Sequence, residues 1–193
     1  MKLTPQLLLN AYSQGIFPMA DEDGAIYWYD PDPRAIIPLE NFHVPRSLAR
    51  TIRRGQFEVR VDTAFRAVME ACAESTPGRE VTWISQEFIT AYSELHALGF
   101  AHSVECWRAG ELVGGLYGVS LGGLFAGESM FSRATDASKV ALVHLVERLR
   151  RGGFVLLDTQ FMTDHLRRFG AIEIPREEYQ ARLAHALKCR ARF

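Results

Sequence analysis

Three consecutive apolar segments, His102–Trp107, Glu111–Val119 and Gly122–Ser129, constrain this chain more than any other stretch. Successive side chains of a strand face opposite sides, and Ala109-Gly110 and the Gly122-Gly123 region carry the turn chemistry that lets one strand fold back on the last. The spacing predicts an antiparallel meander. Directly after it, Leu142, Leu145, Val146 and Leu149 recur at helical spacing, with Thr135 or Asp136 to cap the start and Gly152-Gly153 to end the helix. Arg148, Arg150 and Arg151 lie near its negative C-terminal end. Phe154–Leu157 is then a continuous apolar run, as expected of a strand buried on both faces, and it ends in Asp158.

Around this centre the rest of the chain falls into recognisable pieces. Thr4-Pro5 reads as the start of a short helix with Leu7, Leu8 and Tyr12 on its apolar face and Gly15 at its end. Residues 16–45 carry five prolines among aromatic residues, which predicts extended, turn-rich backbone with few regular hydrogen bonds. Gln56–Asp62 alternates as a strand, with Phe57, Val59 and Val61 on one face, and Asp62 is expected to cap a helix reaching about Ala73. A second helix is expected at about Ser85–Leu98, a third at about Phe161–Phe169, a short strand at Ala171–Ile174 and a last helix from Pro175. The fold class expected is α+β: a small N-terminal unit over 1–55 and a mixed-sheet domain over 56–193. The order of elements from residue 56 onward resembles that of the GCN5-related N-acyltransferases.

Composition excludes more than it identifies. At 193 residues and 48% hydrophobic the chain is neither disordered nor fibrous. Its formal net charge of -1 does not advertise a nucleic acid, so any such partner needs a local basic patch. Cys72, Cys106 and Cys189 are odd in number and form no CxxC pair, which argues against a disulfide framework and a structural zinc site. The first fifteen residues lack the apolar length of a signal peptide or a membrane span, so a soluble cytoplasmic protein is expected. No HExxH or Walker loop occurs, and no metal or cofactor is indicated.

Asp158 and Gln160, at the end of the buried strand, are the strongest chemical candidates. If strand geometry persists through Thr159, both point to the same side and can jointly grip a polar group. The alternative is that Asp158 caps the following helix while Gln160 is a solvated turn residue. Glu128 ends the apolar run GGLFAGESMF, where a buried carboxylate needs a partner. That partner is either a cationic ligand or an ion-pair residue such as Lys139. Trp28 and Trp83 lie in turn-rich or boundary segments, where an indole can stack on a nucleobase or simply anchor a core. Arginines cluster at Arg46, Arg50, Arg53 and Arg54, at the end of the central helix, and at Arg167-Arg168. These are solvated helix faces or, taken together, a track for a phosphate backbone.

Eight stretches, among them YSQGIFPM (12–19), WYDPDPR (28–34), TWI (82–84), LVGGLYGVSLG (112–122), FAGESMFS (125–132) and DTQFMTDHLRRFGA (158–171), resemble in order those of the leucyl/phenylalanyl-tRNA–protein transferases. The resemblance implies transfer of Leu, Phe or Met from aminoacyl-tRNA to proteins whose N-terminus is Lys or Arg, marking them for N-degron degradation. It implies a monomer that needs no cofactor. It assigns catalysis to Asp158 and Gln160, a cationic amine to Glu128, and the terminal adenosine to Trp28 and Trp83, with the N-terminal unit contributing to the tRNA 3′-end site. The wall of an apolar pocket falls to Leu116, Phe125, Met130, Leu142 and Leu157. Thr163 stands where the family often has Asn, and a hydroxyl offers one donor where an amide offers two.

Two other readings remain. A CoA-dependent N-acetyltransferase on the same fold would show a Gly-rich turn to cradle the pyrophosphate, yet the equivalent stretch SRATDASKV has no glycine and carries Asp136. A non-catalytic RNA-binding module would bind charged tRNA without passing on its amino acid.

Overall fold

A computed structural model describes residues 2–21, 23–75 and 82–193. The meander forms as β5 (Ala101–Arg108), β6 (Glu111–Leu121) and β7 (Leu124–Ser132), paired antiparallel throughout. Helix α5 (Ala137–Gly152) follows, and Gly153, at φ 79°, closes it in the left-handed conformation that glycine adopts without strain. The chain then returns as β8 (Leu156–Gln160), parallel to β7, so the sheet is mixed and the α+β class is confirmed.

The alternation of β6 and β7 produces two cores, one on each face of the sheet. Val104, Leu116 and Phe125 pack with Leu142, Leu145, Val146 and Leu149 of α5. Tyr117, Val119 and Ala126 face the other way, onto α3 (Phe65–Ala73), α4 (Gln86–Ala97) and α1 (Pro5–Ser13). Gly114 lets α5 settle on β6, because a Cβ there would overlap the Ala137 Cβ and stand 3.0 Å from the Ala137 backbone carbon.

The proline-rich stretch is more regular than its composition predicts. β1 (Phe17–Ala20) and β2 (Ile26–Tyr29) form a two-stranded sheet, and β3 (Arg34–Ile37) enters the main sheet, whose order is β4-β5-β6-β7-β8-β3-β9. Pro31, Pro33 and Pro38 flank these strands and Pro18 stands on the small sheet, where an absent N–H costs little, while Pro45 lies beyond them. β3 thus lies between β8 and β9 (Ile172–Ile174), although it precedes residue 55. The segment 46–54, whose arginines allow a solvated helix face or a phosphate track, includes helix α2 (Arg46–Arg53).

Several caps differ from expectation. Asp62, beside β4 (Glu58–Val61), does not cap α3: it accepts the Ser103 N–H and pairs with His102, while the buried Glu105 accepts the N–H groups of Thr63 and Ala64. Asp136 precedes α5 in a left-handed conformation with no capping bond and instead holds Lys139 at 2.8 Å. The helix expected at 161–169 is the shorter α6 (Asp164–Arg167), started by Thr163, whose hydroxyl accepts the Leu166 N–H. The last helix is α7 (Arg176–Ala186).

Candidate active site

Strand β8 sends its side chains to two different places. Leu157 and Thr159 face α5, and Asp158 faces away from it, as alternation requires. At Gln160 the alternation fails, because φ is +60°. Gln160 therefore does not share the side of Asp158: it lines the same cavity as Leu157 and Thr159.

Asp158 is enclosed, not offered to solvent. Its carboxylate takes two parallel hydrogen bonds from the Arg34 guanidinium (3.0 and 2.7 Å), one from the Tyr179 hydroxyl (2.8 Å) and one from the Gln160 backbone N–H (2.9 Å). It is 1% exposed and so is Arg34, which also donates to the Gly15 carbonyl and lies over the Tyr179 ring. Burial alone would lower the pKa of Arg34; the hydrogen bonds and charge of Asp158 outweigh it and raise the value. Burial beside Asp158 pushes the Tyr179 phenol far up. A paired carboxylate of this kind fixes the strand end, and through the Gln160 N–H it holds the backbone that aims the Gln160 side chain.

Glu128, on β7, meets that side chain. The Gln160 carboxamide donates to Glu128 Oε1 at 3.4 Å. The Tyr12 hydroxyl bonds Glu128 as well, and the Tyr12 and Tyr92 hydroxyls are 2.7 Å apart. Burial raises the Glu128 carboxyl to about 8, with the Asp158 charge adding to the shift and the Tyr12 bond and Arg34 opposing it. Lys139, a candidate partner by sequence, is engaged with Asp136 instead.

These groups stand at one end of a cavity of about 290 Å3 whose other walls are Leu116, Met130, Leu142, Leu145, Leu157 and Leu166. Of the residues expected in the site, the structure brings together Glu128, Gln160, Leu116, Met130, Leu142, Leu157 and Thr163. Phe125 is fully buried behind that wall, stacked on Phe193. Trp28, on β2, and Trp83, edge-on to Phe88, are half-buried against the core on the other face. Sequence reasoning missed Arg34, Tyr179, Tyr12 and Tyr92. Arg34 was visible only as the last residue of WYDPDPR, and Tyr12 as one more apolar residue of its helix.

An apolar pocket ending in a desolvated carboxyl and an amide is a site for an apolar group attached to a polar, proton-exchanging centre. The chain belongs to the leucyl/phenylalanyl-tRNA protein transferase family: the family model matches residues 36–184 and the model of its N-terminal domain residues 1–32. It is 70% identical over 193 residues to a leucyl/phenylalanyl-tRNA–protein transferase of Herpetosiphon aurantiacus, covering 100% of this chain and 98% of that protein. It is 62% identical to that of Paramagnetospirillum magneticum, over 96% of this chain and 90% of the other. Among solved structures it is similar to a GCN5-related N-acetyltransferase-like protein from Streptococcus suis, with 14% identity, a TM-score of 0.41, and coverage of 88% of this chain and 63% of that one. No helix among the described residues is long and apolar enough to cross a membrane.

Proposed function

We propose that this chain transfers Leu, Phe or Met from aminoacyl-tRNA to the N-terminal amine of proteins that begin with Lys or Arg, so marking them for N-degron degradation. The cavity carries this reading: its apolar walls suit the transferred side chain, and Glu128 with Gln160 stands at the end where an amine must attack the ester. Apolar fit discriminates weakly, by roughly 1–3 kcal/mol per methylene, which agrees with a site serving several apolar donors.

The reaction is aminolysis of an ester. The neutral amine nitrogen forms a bond to the acyl carbon, the bond to the ribose oxygen breaks, and that oxygen leaves as a hydroxyl, taking up a proton to match the one the nitrogen gives up. An α-amine titrates at about 7.7–8.0, and Glu128 is raised to about 8. A proton therefore passes between them with little change in free energy, which favours proton transfer during attack. Gln160, donating its N–H to Glu128, keeps its carbonyl oxygen for the incoming amine. Asp158 and Arg34 act one step behind by fixing the Gln160 backbone.

Trp28 and Trp83 retain partly exposed rings that suit stacking on the terminal adenosine, and the α2 arginines suit the phosphates of the acceptor stem. Arg150 has another task, since both its Nε and Nη2 donate to the Leu39 carbonyl. We place the protein in the cytoplasm, as a monomer.

The test incubates the protein with labelled Phe-tRNA, Leu-tRNA or Met-tRNA and peptides that begin with Arg, Lys or Asp. Transfer to Arg and Lys peptides alone is expected. No transfer by the folded protein overturns the reading, and acetylation of the same peptides from acetyl-CoA would replace it with the acetyltransferase alternative.

A further inference from the structure

Arg148, Arg150 and Arg151 form a single cluster in the sequence but part company on α5. Arg150 is held by the Leu39 carbonyl. Arg148 and Arg151 instead line a groove of about 540 Å3 with Arg192, His144 and, from β4, Val59 and Val61. His144, Arg148 and Arg151 recur at spacings of four and three, so they share one face of the helix. The opposite face carries Leu142, Leu145 and Leu149 into the core.

The groove is built, and its charge is one-sided. The Arg192 backbone N–H donates to the Gly152 carbonyl at 2.9 Å, which fixes residues 190–193 against the end of α5. Phe193 stacks on the buried Phe125, and the Arg148 guanidinium lies over the Phe193 ring at 5.0 Å. Glu147 is the one acidic side chain in the lining, and among the described residues no ion pair engages Arg148, Arg151 or Arg192. All three arginines are exposed. In a chain whose formal net charge is only -1, three such guanidiniums around one groove make a local site for anions.

Its place in the fold gives those anions a source. Leu142 and Leu145 of α5 wall the reactive cavity, and Arg151 follows Leu145 by six residues, about 9 Å along the helix. Arg53 and Arg54 at the end of α2 lead through residues 55–57 into β4, the edge strand that forms the other wall of the groove.

We infer that the groove between α5, β4 and residues 190–193 binds backbone phosphates of the donor tRNA, whose body leaves the cavity across α5 towards the β4 edge of the sheet. This rests on the proposed transfer reaction. Guanidinium forks match phosphate oxygens, and backbone contacts position a nucleic acid without reading its sequence, which agrees with several donor tRNAs.

The experiment compares the wild type with the double variant Arg148→Gln, Arg151→Gln, its folding checked by circular dichroism, on two donors. One is Phe-tRNA; the other is phenylalanyl-adenosine, which carries the same ester and no phosphate. With Phe-tRNA, KM should rise about three- to tenfold, and the slope of log KM against log salt should fall by about one for each arginine removed. With phenylalanyl-adenosine the kinetics should stay as in the wild type. If the double variant does not fold, Arg192→Gln carries the same test with about half the change in slope. An unchanged KM and salt slope for Phe-tRNA overturn the inference while leaving transfer in place. An equal loss with both donors overturns it too, since the defect then lies in the cavity. Absence of transfer by the wild type would instead overturn the proposed reaction and this inference with it.

Discussion

Arg34 grips Asp158 through two parallel hydrogen bonds across 124 residues of sequence, and the pair is sealed inside the sheet. β3 brings the arginine to β8, and Tyr179 from α7 adds a third donor. Asp158 does not line the cavity and meets it only through the Gln160 backbone.

Arg34→Met should therefore destabilise the protein severely, by about 3–5 kcal/mol, because a buried carboxylate loses its only full counter-charge among the described residues. Urea unfolding of the variant against wild type measures this. A loss below about 1 kcal/mol would mean that Tyr179 and the Gln160 N–H suffice to hold Asp158.

This pair also shows how much the sequence carries. The meander, α5 with its Gly153 end, and β8 were legible because side-chain period and turn residues are local signals. The entry of β3 between β8 and β9 was not, since a four-residue strand among prolines has no period to detect and its partners are distant in sequence. Asp158 and Gln160 were singled out at the strand end, but their shared side was an extrapolation of strand geometry that the positive φ of Gln160 breaks. Glu128 was recognised as needing a partner; that its neighbours would be Tyr12 and Gln160 depended on α1 packing against the far face of the sheet.

Glu128 gives stability a definite pH dependence. Its folded value of about 8 lies above the ordinary 4.5, so between the two the folded protein binds more protons than the unfolded chain. Its contribution is greatest below 4.5 and is lost as pH rises through about 8. Glu128→Gln, neutral throughout, should flatten the fall in unfolding free energy over that window. Equal slopes in the two proteins would show that the carboxyl is not desolvated as the structure has it.

Gly114→Ala tests how tightly α5 must sit on β6. The added methyl meets Ala137, so the helix must lift. The expected cost is about 1–3 kcal/mol of stability. A rise in KM for aminoacyl-tRNA should accompany it, since Leu142 and Leu145 of α5 form cavity wall. Wild-type stability and kinetics would mean that the helix has room to spare.

The most direct test of the site is the single-turnover rate of Phe transfer from Phe-tRNA to an Arg peptide by Glu128→Ala, with folding checked by circular dichroism. Glu128 lines the cavity beside Gln160 and lies outside the Arg34–Asp158 pair, so its removal leaves that anchor intact. A loss of about a hundredfold or more is predicted, as for a group that takes a proton during the reaction. Transfer by the folded variant at the wild-type rate would contradict the placement of the reaction in this cavity.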